Sequence, residues 1–116
     1  MTAPISTKFS EERDRLNKIM SQYTSLNTNR FLSLDNQMYR DGALSAKTKE
    51  LLGLVSSLVL RCDDCINYHL INCYELGYTE QEIEEAMSIG LLVGGSIVIP
   101  HLRRAFAVWD EMKKNN

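Results

Sequence analysis

Apolar residues recur at intervals of three and four positions along most of the chain, and no segment alternates apolar and polar residues long enough to form a half-buried strand. This pattern predicts an all-α protein, a bundle of about six helices. The first helix is expected to begin after an N-cap at Ser10, and the second to cover about residues 28–40 and to stop at Gly42. The residues predicted to face the core are Phe9, Leu16, Ile19, Met20 and Tyr23 in the first helix and Phe31, Leu34 and Met38 in the second.

The third helix is expected to begin after Ser45 and to be apolar on nearly all sides, because residues 51–60 are only leucine, valine, glycine and serine. Gly53 and the two serines that follow would let another helix approach closely, and residues 89–99 form a second largely apolar segment. A domain of this size buries only about two-thirds of its unfolded surface. We therefore expect a homo-oligomer; the alternative is a compact monomer with the third helix at its centre.

The remaining helices have clear end signals. The fourth helix is expected to end at Gly77. Thr79 and Glu82 predict a capping box at the start of the fifth helix, and Gly94-Gly95 predicts its end. Pro100 is expected in the first turn of the sixth helix.

Composition indicates one globular domain over residues 1–116, because 44% of the residues are hydrophobic and 24% are charged. The net charge of -2 gives no reason to expect nucleic acid or an anionic membrane as a partner. No apolar stretch approaches the roughly 20 residues of a membrane span, and the first residues lack the apolar core of a secretory signal. We therefore expect a cytoplasmic protein, in which paired cysteines favour redox or metal chemistry over a structural disulfide framework.

Two cysteines three positions apart, Cys62 and Cys65, form the most distinctive motif of the chain. They stand near the predicted start of the fourth helix, where thiols at this spacing can close a disulfide within one turn. His69 lies four positions after Cys65 on the same helix face and can move the proton that thiol chemistry requires. Cys73 shares this face but is two turns or more from either partner, so we expect it to stay a free thiol on a buried face.

Metal binding is the alternative interpretation of the same residues. On one helix Cys62 and Cys73 are separated by about 16 Å, too far for both sulfurs to bind one zinc ion. A site formed by Cys62, Cys65, His69 and an outside ligand stays open.

Catalysis requires a thiolate. The charges around the cysteine pair have opposite effects on ionisation of the two thiols. The helix N-terminus and Arg61 favour the anion, whereas Asp63 and Asp64 disfavour it by repulsion. A local base is therefore needed, and His69 is placed to reach the sulfur of Cys65.

Glu50, twelve positions before Cys62, completes the pattern Glu-x(11)-Cys-x-x-Cys-x-x-x-His. This pattern resembles the alkyl hydroperoxidase D-like branch of the carboxymuconolactone decarboxylase superfamily. The resemblance covers about Gly42 to Trp109 and includes the residues that lead up to Glu50, the stretch 76–86 and the Gly94-Gly95 pair.

The resemblance implies a thiol peroxidase whose catalytic residues are Glu50, Cys62, Cys65 and His69. Cys65 attacks the hydroperoxide and becomes a sulfenic acid, and Cys62 then condenses with it to form the redox disulfide. Glu50 orients His69 or passes its proton to solvent. Neither a cofactor nor a metal is implied. The implied partners are a hydroperoxide substrate, a dithiol reductant of the lipoyl type, and further copies of the chain in a trimer or a hexamer.

The geometry of the relay and the roles of the two cysteines stay open in the sequence. In a straight helical hairpin that turns near Arg61, Glu50 lies about 16 Å and His69 about 12 Å below the turn. Direct contact would then need a bend, a bridging water or a different crossing angle. A reductant is expected to open the disulfide at the sulfur nearer solvent, taken to be Cys62, although Cys62 and Cys65 could exchange roles.

Two other functions are alternatives. An acid/base decarboxylase of the same superfamily needs no thiol pair, so Cys62 and Cys65 weigh against it. The other is a non-enzymatic partner protein that carries a redox-sensing disulfide.

Overall fold

The computed structural model describes residues 4–116, and this range folds into six α-helices without a β-strand. The helices are α1 (Ile5–Ser21), α2 (Leu26–Met38), α3 (Ala46–Val59), α4 (Asp63–Glu75), α5 (Glu80–Gly94) and α6 (Ile99–Lys114), with a short 3₁₀ turn (Ser96–Val98) that leads into α6. The predicted all-α bundle of about six helices is confirmed.

The core lies between α3, α4, α5 and α6, with α3 packed against both α4 and α5. Leu54 and Leu58 of α3, Ile66 and Leu70 of α4 and Met87 of α5 are each at most 1% exposed. Burial of one side chain of this size stabilises the fold by roughly 1.5–3 kcal/mol. The helix that carries Glu50, α3, and the helix that begins directly after Cys62, α4, are therefore held together by fully buried side chains.

The local end signals of α3, α5 and α6 were predicted correctly. Ser45 caps α3, because its hydroxyl accepts the backbone N–H three residues later at 3.1 Å. Thr79 and Glu82 make both bonds of the capping box. Gly95 has a φ of 82° directly after the end of α5, and Pro100 lies in the first turn of α6.

The predicted start of α1 is wrong. The helix begins at Ile5, directly after Pro4, and Ser10 lies inside it rather than at its N-cap. The carboxylate of Glu111 in α6 accepts the backbone N–H of Ile5. A contact from the other end of the chain thus satisfies an N–H of the first turn, and it leaves no local signal in the sequence.

The predicted buried face of α2 is also wrong. The helix covers Leu26–Met38 and ends before Gly42 is reached, and Phe31, Leu34 and Met38 are 68%, 54% and 65% exposed. The face predicted for the first helix behaves in the same way. Leu16, Ile19 and Met20 of α1 and Tyr23, just beyond its end, are exposed, and Phe9 is half-buried. Helical spacing specifies an apolar side, but it does not specify what covers that side.

The largely apolar helix α3 is buried on one side and open on the other. Leu54 and Leu58 are fully buried, whereas Leu52 is 52% exposed and Leu60, just beyond the helix, is 76% exposed. Neither α3 nor any other helix within residues 4–116 is long and apolar enough to cross a membrane.

Candidate thiol site

The thiol pair is placed by a tight turn between α3 and α4. The N–H of Arg61 donates to the carbonyl of Leu58 at 3.0 Å, and the N–H of Cys62 donates to the carbonyl of Ser57 at 3.1 Å. These two bonds form a Schellman motif, which requires the left-handed conformation that Arg61 adopts, with a φ of 60°. For a residue other than glycine this conformation costs roughly 1–2 kcal/mol. The turn brings Cys62 directly to the N-cap of α4.

Cys62 and Cys65 lie within disulfide-bonding distance across the first turn of α4, with their Cα atoms 5.3 Å apart. The sulfur of Cys62 also accepts the backbone N–H of Cys65 at 3.2 Å. Both sulfurs therefore lie at the positive end of the helix dipole, which stabilises a thiolate once the pair is reduced. Cys65 is exposed, whereas Cys62 is half-buried. The expectation that Cys62 lies nearer to solvent is therefore wrong.

Glu50 and His69 are in direct contact between α3 and α4. Oε2 of Glu50 lies 2.7 Å from Nδ1 of His69, and the two side chains are only 12% and 11% exposed. Because Nδ1 faces a carboxylate, it carries a proton and donates it in the hydrogen bond. The two side chains therefore meet directly, without a bridging water. The sequence did not decide this, because in a straight hairpin the two residues lie at different distances from the turn.

Gly53 explains how the imidazole comes so close to α3. A Cβ atom on Gly53 would lie 2.9 Å from Cε1 of His69 and 2.8 Å from the hydroxyl of Tyr39. Only glycine leaves room for both side chains against the helix backbone, one turn after Glu50. The sequence suggested that Gly53 admits a neighbouring helix; in the structure it admits the side chains of the site itself.

Tyr39, at the C-terminal end of α2, extends the Glu50–His69 pair to a third residue. Its hydroxyl lies 3.4 Å from Nε2 of His69, and the two rings are 5.3 Å apart between centroids. Burial, followed by the carboxylates of Asp35 and Glu50, raises the pKa of Tyr39, so the phenol keeps its proton and donates to Nε2. Sequence reasoning missed Tyr39 because it lies outside the motif and meets His69 only through the fold.

A cleft of about 690 Å³ opens between α2 and α3, with His69 and Tyr39 among its lining residues. Its apolar lining comes from Met38, Leu44, Leu52 and Leu60. Neither motif cysteine is part of the lining.

The histidine and the disulfide share α4 but are not hydrogen-bonded to each other. Within residues 4–116 the two ring nitrogens of His69 contact Glu50 and Tyr39, and neither nitrogen bonds to a sulfur. The expected approach of His69 to the sulfur of Cys65 is therefore not made in this disulfide-bonded arrangement.

Cys73 belongs to the core. Its side chain is fully buried, and burial, with a smaller contribution from the carboxylate of Glu50, raises the pKa of this thiol to about 12. At neutral pH it is a protonated, inert apolar side chain.

Asp63 is held by two residues of α6 that sequence reasoning did not connect with the site. Its carboxylate oxygens lie 2.7 Å from Nδ1 of His101 and 2.9 Å from Nε of Arg104. Burial acts to raise the pKa of Asp63. The hydrogen bonds from His101 and Arg104 outweigh this effect and hold the pKa below its usual range. Asp64, the next residue, is exposed.

Comparison with known sequences finds matches over more than half of the chain. A sequence model of the carboxymuconolactone decarboxylase family matches residues 27–111, which include Glu50 and the thiol motif. Uncharacterized protein 4 in the cox locus of Paracoccus denitrificans is 32% identical over 82 residues, or 71% of this chain and 74% of that protein. An uncharacterized protein of Cupriavidus necator is 27% identical over 73 residues, or 63% of this chain and 65% of that protein.

Solved structures show the same arrangement of helices. A crystal structure of a carboxymuconolactone decarboxylase family protein from Thermotoga maritima, for which involvement in an antioxidative response has been suggested, has a TM-score of 0.87 and 56% sequence identity. The alignment covers 92% of this chain and 91% of that chain. The apo structure of a family protein from Legionella pneumophila has a TM-score of 0.60 and 26% identity, with 95% and 88% of the two chains covered.

Proposed function

Because the chain belongs to the carboxymuconolactone decarboxylase family, we propose that it is a thiol-dependent peroxidase that reduces hydroperoxides through Cys62 and Cys65. The observation that carries this proposal is the cysteine pair at the N-terminus of α4, one to two turns before His69 of a largely buried Glu50–His69 pair. A helix N-terminus favours the thiolate, and a histidine fixed by a carboxylate moves protons near neutral pH.

The proposed cycle begins with the thiolate of Cys65, the more exposed cysteine. Its sulfur attacks the terminal oxygen of a hydroperoxide, so that an S–O bond forms and the O–O bond breaks. The alkoxide takes a proton and leaves as the alcohol. The thiolate of Cys62 then attacks the sulfenic sulfur, which forms the disulfide and releases the oxygen as water after protonation. The relay of Glu50, His69 and Tyr39 supplies and collects these protons.

A dithiol reductant completes the proposed cycle. Its first thiolate attacks the exposed sulfur of Cys65, which forms a mixed disulfide and releases Cys62 as a thiolate. Its second thiolate then attacks the reductant sulfur of that mixed disulfide, which closes the reductant's own disulfide and releases Cys65 as a thiolate. The backbone N–H of Cys65, 3.2 Å from the sulfur of Cys62, stabilises that leaving group. The family resemblance suggests a lipoyl-type dithiol, and a pair that must be re-reduced suits the reducing cytoplasm.

Assembly into a homo-oligomer is part of the proposal. The apolar residues left open on α2, such as Phe31 and Leu34, and those on α3, such as Leu52, suit contacts between copies of the chain. The resemblance suggests a trimer, or a hexamer built from trimers.

One observation favours a second function. His69 and Tyr39 line the cleft between α2 and α3, but the cysteines do not. An acid/base decarboxylase would use this arrangement of a proton relay facing an apolar cleft without thiols.

Steady-state turnover tests the proposed function. The reduced protein is mixed with an organic hydroperoxide and dihydrolipoamide, and peroxide consumption is compared with Cys65→Ser and Cys62→Ser variants. Catalytic consumption that is lost in Cys65→Ser is the expected result. A single turnover without catalysis indicates a passive redox sensor, and thiols that peroxide does not oxidise at all favour the decarboxylase.

A further inference from the structure

The first turn of α4 is tied to α6 by a cluster around Asp63. One carboxylate oxygen of Asp63 lies 2.7 Å from Nδ1 of His101, and the other lies 2.9 Å from Nε of Arg104. Asp63 follows Cys62 directly and is the first residue of the helix whose N-terminus carries both thiols. The cluster thus joins the thiol helix to α6 at the place where thiol chemistry occurs.

The proton positions in this cluster follow from the distances. Two acceptors do not approach within 2.7 Å, so Nδ1 of His101 carries a proton and donates it to Asp63. Nη2 of Arg104 lies 3.2 Å from the same nitrogen but cannot donate to it, because that nitrogen has no free lone pair. Both α6 residues are therefore donors to one carboxylate, and Arg104 brings a permanent positive charge.

A bare carboxylate beside Cys62 would oppose ionisation of the thiols. A like charge within about 4–6 Å disfavours the charged form of a titrating group, and it weakens the attraction of the helix N-terminus for a thiolate. The chain carries two acids between its cysteines and treats them differently. Asp63 is paired, whereas Asp64 is exposed and makes no ion pair within residues 4–116.

We propose that Arg104 and His101 are positioning residues for the thiol pair, which act by neutralising Asp63 and fixing the first turn of α4. They keep Cys62 and Cys65 reactive near neutral pH without touching substrate. These are the thiols of the proposed peroxidase, and the biological role of Arg104 and His101 rests on that proposed function. The effect of the two residues on the reactivity of the reduced thiols does not depend on which oxidant reacts with these thiols.

The test is the alkylation rate of the reduced protein with iodoacetamide between pH 5 and 9, followed by mass spectrometry of the peptide that contains Cys62 and Cys65. Arg104→Gln is expected to slow alkylation at pH 7 about threefold and to move the pH profile to higher pH. Arg103→Gln is the matched control, because it removes the same charge from an exposed neighbour in α6, and it is expected to match the wild type.

A double-mutant cycle separates action through Asp63 from direct attraction between Arg104 and the thiolates. In an Asp63→Asn background the Arg104→Gln change is expected to have little effect. Asp64→Asn, which removes the unpaired acid, is expected to accelerate alkylation more than Asp63→Asn does. The proposal is overturned if Arg104→Gln behaves like the wild type, or if its effect is as large in the Asp63→Asn background.

Further controls check that each variant folds and distinguish this inference from the proposed peroxidase function. Thermal unfolding monitors each variant, and His101→Gln provides a second probe of the cluster if Arg104→Gln does not fold; alkylation at the wild-type rate in that variant would equally overturn the proposal. If the wild-type protein does not turn over peroxide, the proposed peroxidase function is wrong. If the variants are alkylated at the wild-type rate, the role proposed for Arg104 and His101 is wrong.

Discussion

The carboxylate of Glu50 lies 2.7 Å from Nδ1 of His69, although the two residues are 19 positions apart and belong to different helices. The contact is shielded from water, because the side chains are only 12% and 11% exposed. It fixes both the orientation of the imidazole and the nitrogen that carries the proton. Nε2 is left facing Tyr39 and the cleft between α2 and α3.

Glu50→Gln is expected to slow peroxide reduction by roughly 10- to 100-fold, because the amide keeps the size of the side chain but no longer stabilises an imidazolium. His69→Ala is expected to slow it further and to move the pH optimum upward, since the thiols must then ionise without a local base. Both are measured as kcat/KM between pH 5 and 9. Glu84→Gln, an exposed carboxylate of α5, is the control. An unchanged pH–rate profile in His69→Ala would remove the histidine from the mechanism.

Gly53→Ala is expected to displace His69 and Tyr39, because a Cβ at this position would lie 2.9 Å and 2.8 Å from their atoms. Overpacking of this kind typically costs about 1–3 kcal/mol of unfolding free energy, and turnover is expected to fall with it. Gly42→Ala is the matched control, since its Cβ would meet only Nζ of Lys49, at 3.5 Å. Urea unfolding and peroxide turnover of the two variants check this; equal behaviour would show that the close approach at Gly53 is not required.

The features that the sequence predicted are those with local causes. The capping box at Thr79 and the disruption of α5 at Gly94-Gly95 depend on residues within one turn of each other. The cysteine spacing likewise fixes which two thiols can meet. Such features are recognisable without knowing how the helices pack.

The features that the sequence did not predict depend on residues far apart in the chain. Ile5 donates to Glu111 across 106 positions, and Asp63 meets His101 across 38. Tyr39 reaches His69 across 30 positions, at the end of a helix whose boundary was misplaced by two residues. Helical periodicity carries no information on these distances, because it describes one helix at a time.

Cys73 is expected to make the folded protein sensitive to alkaline pH. Burial raises the pKa of this thiol to about 12 from an ordinary value of 9.0, so the native state favours the protonated form. The resulting stabilisation is complete below the ordinary thiol pKa and decreases as the pH rises toward 12, by at most about 1.4 kcal/mol per pH unit. Cys73→Ala removes the titrating group and leaves a pH-independent cavity cost. Urea unfolding of both proteins at pH 8, 9 and 10 should give a stability difference that shrinks with pH; parallel curves would contradict the buried thiol.

Arg61 is expected to tolerate asparagine better than valine. Its φ of 60° lies in the left-handed region, which asparagine adopts readily and β-branched residues avoid. Arg61→Asn and Arg61→Val remove the same charge, so their difference isolates the backbone effect. Chemical denaturation should show the valine variant to be less stable than the asparagine variant by about 1 kcal/mol. Equal stabilities would mean that the turn before Cys62 relaxes to another conformation.

Light scattering is expected to show a homo-oligomer, a multiple of the 13.3 kDa chain, because nothing within residues 4–116 covers the apolar face of α2. Phe31→Glu places a charge on that face, where the side chain of a lone subunit is already 68% exposed. In a monomer the change would therefore be nearly neutral, whereas in an oligomer it buries a carboxylate at a contact and should lower the mass toward one chain. Ser33→Glu adds the same charge about 200° around the helix and serves as the control. A wild-type species of 13.3 kDa would refute the assembly, and a Phe31→Glu variant of unchanged larger mass would move the interface away from α2.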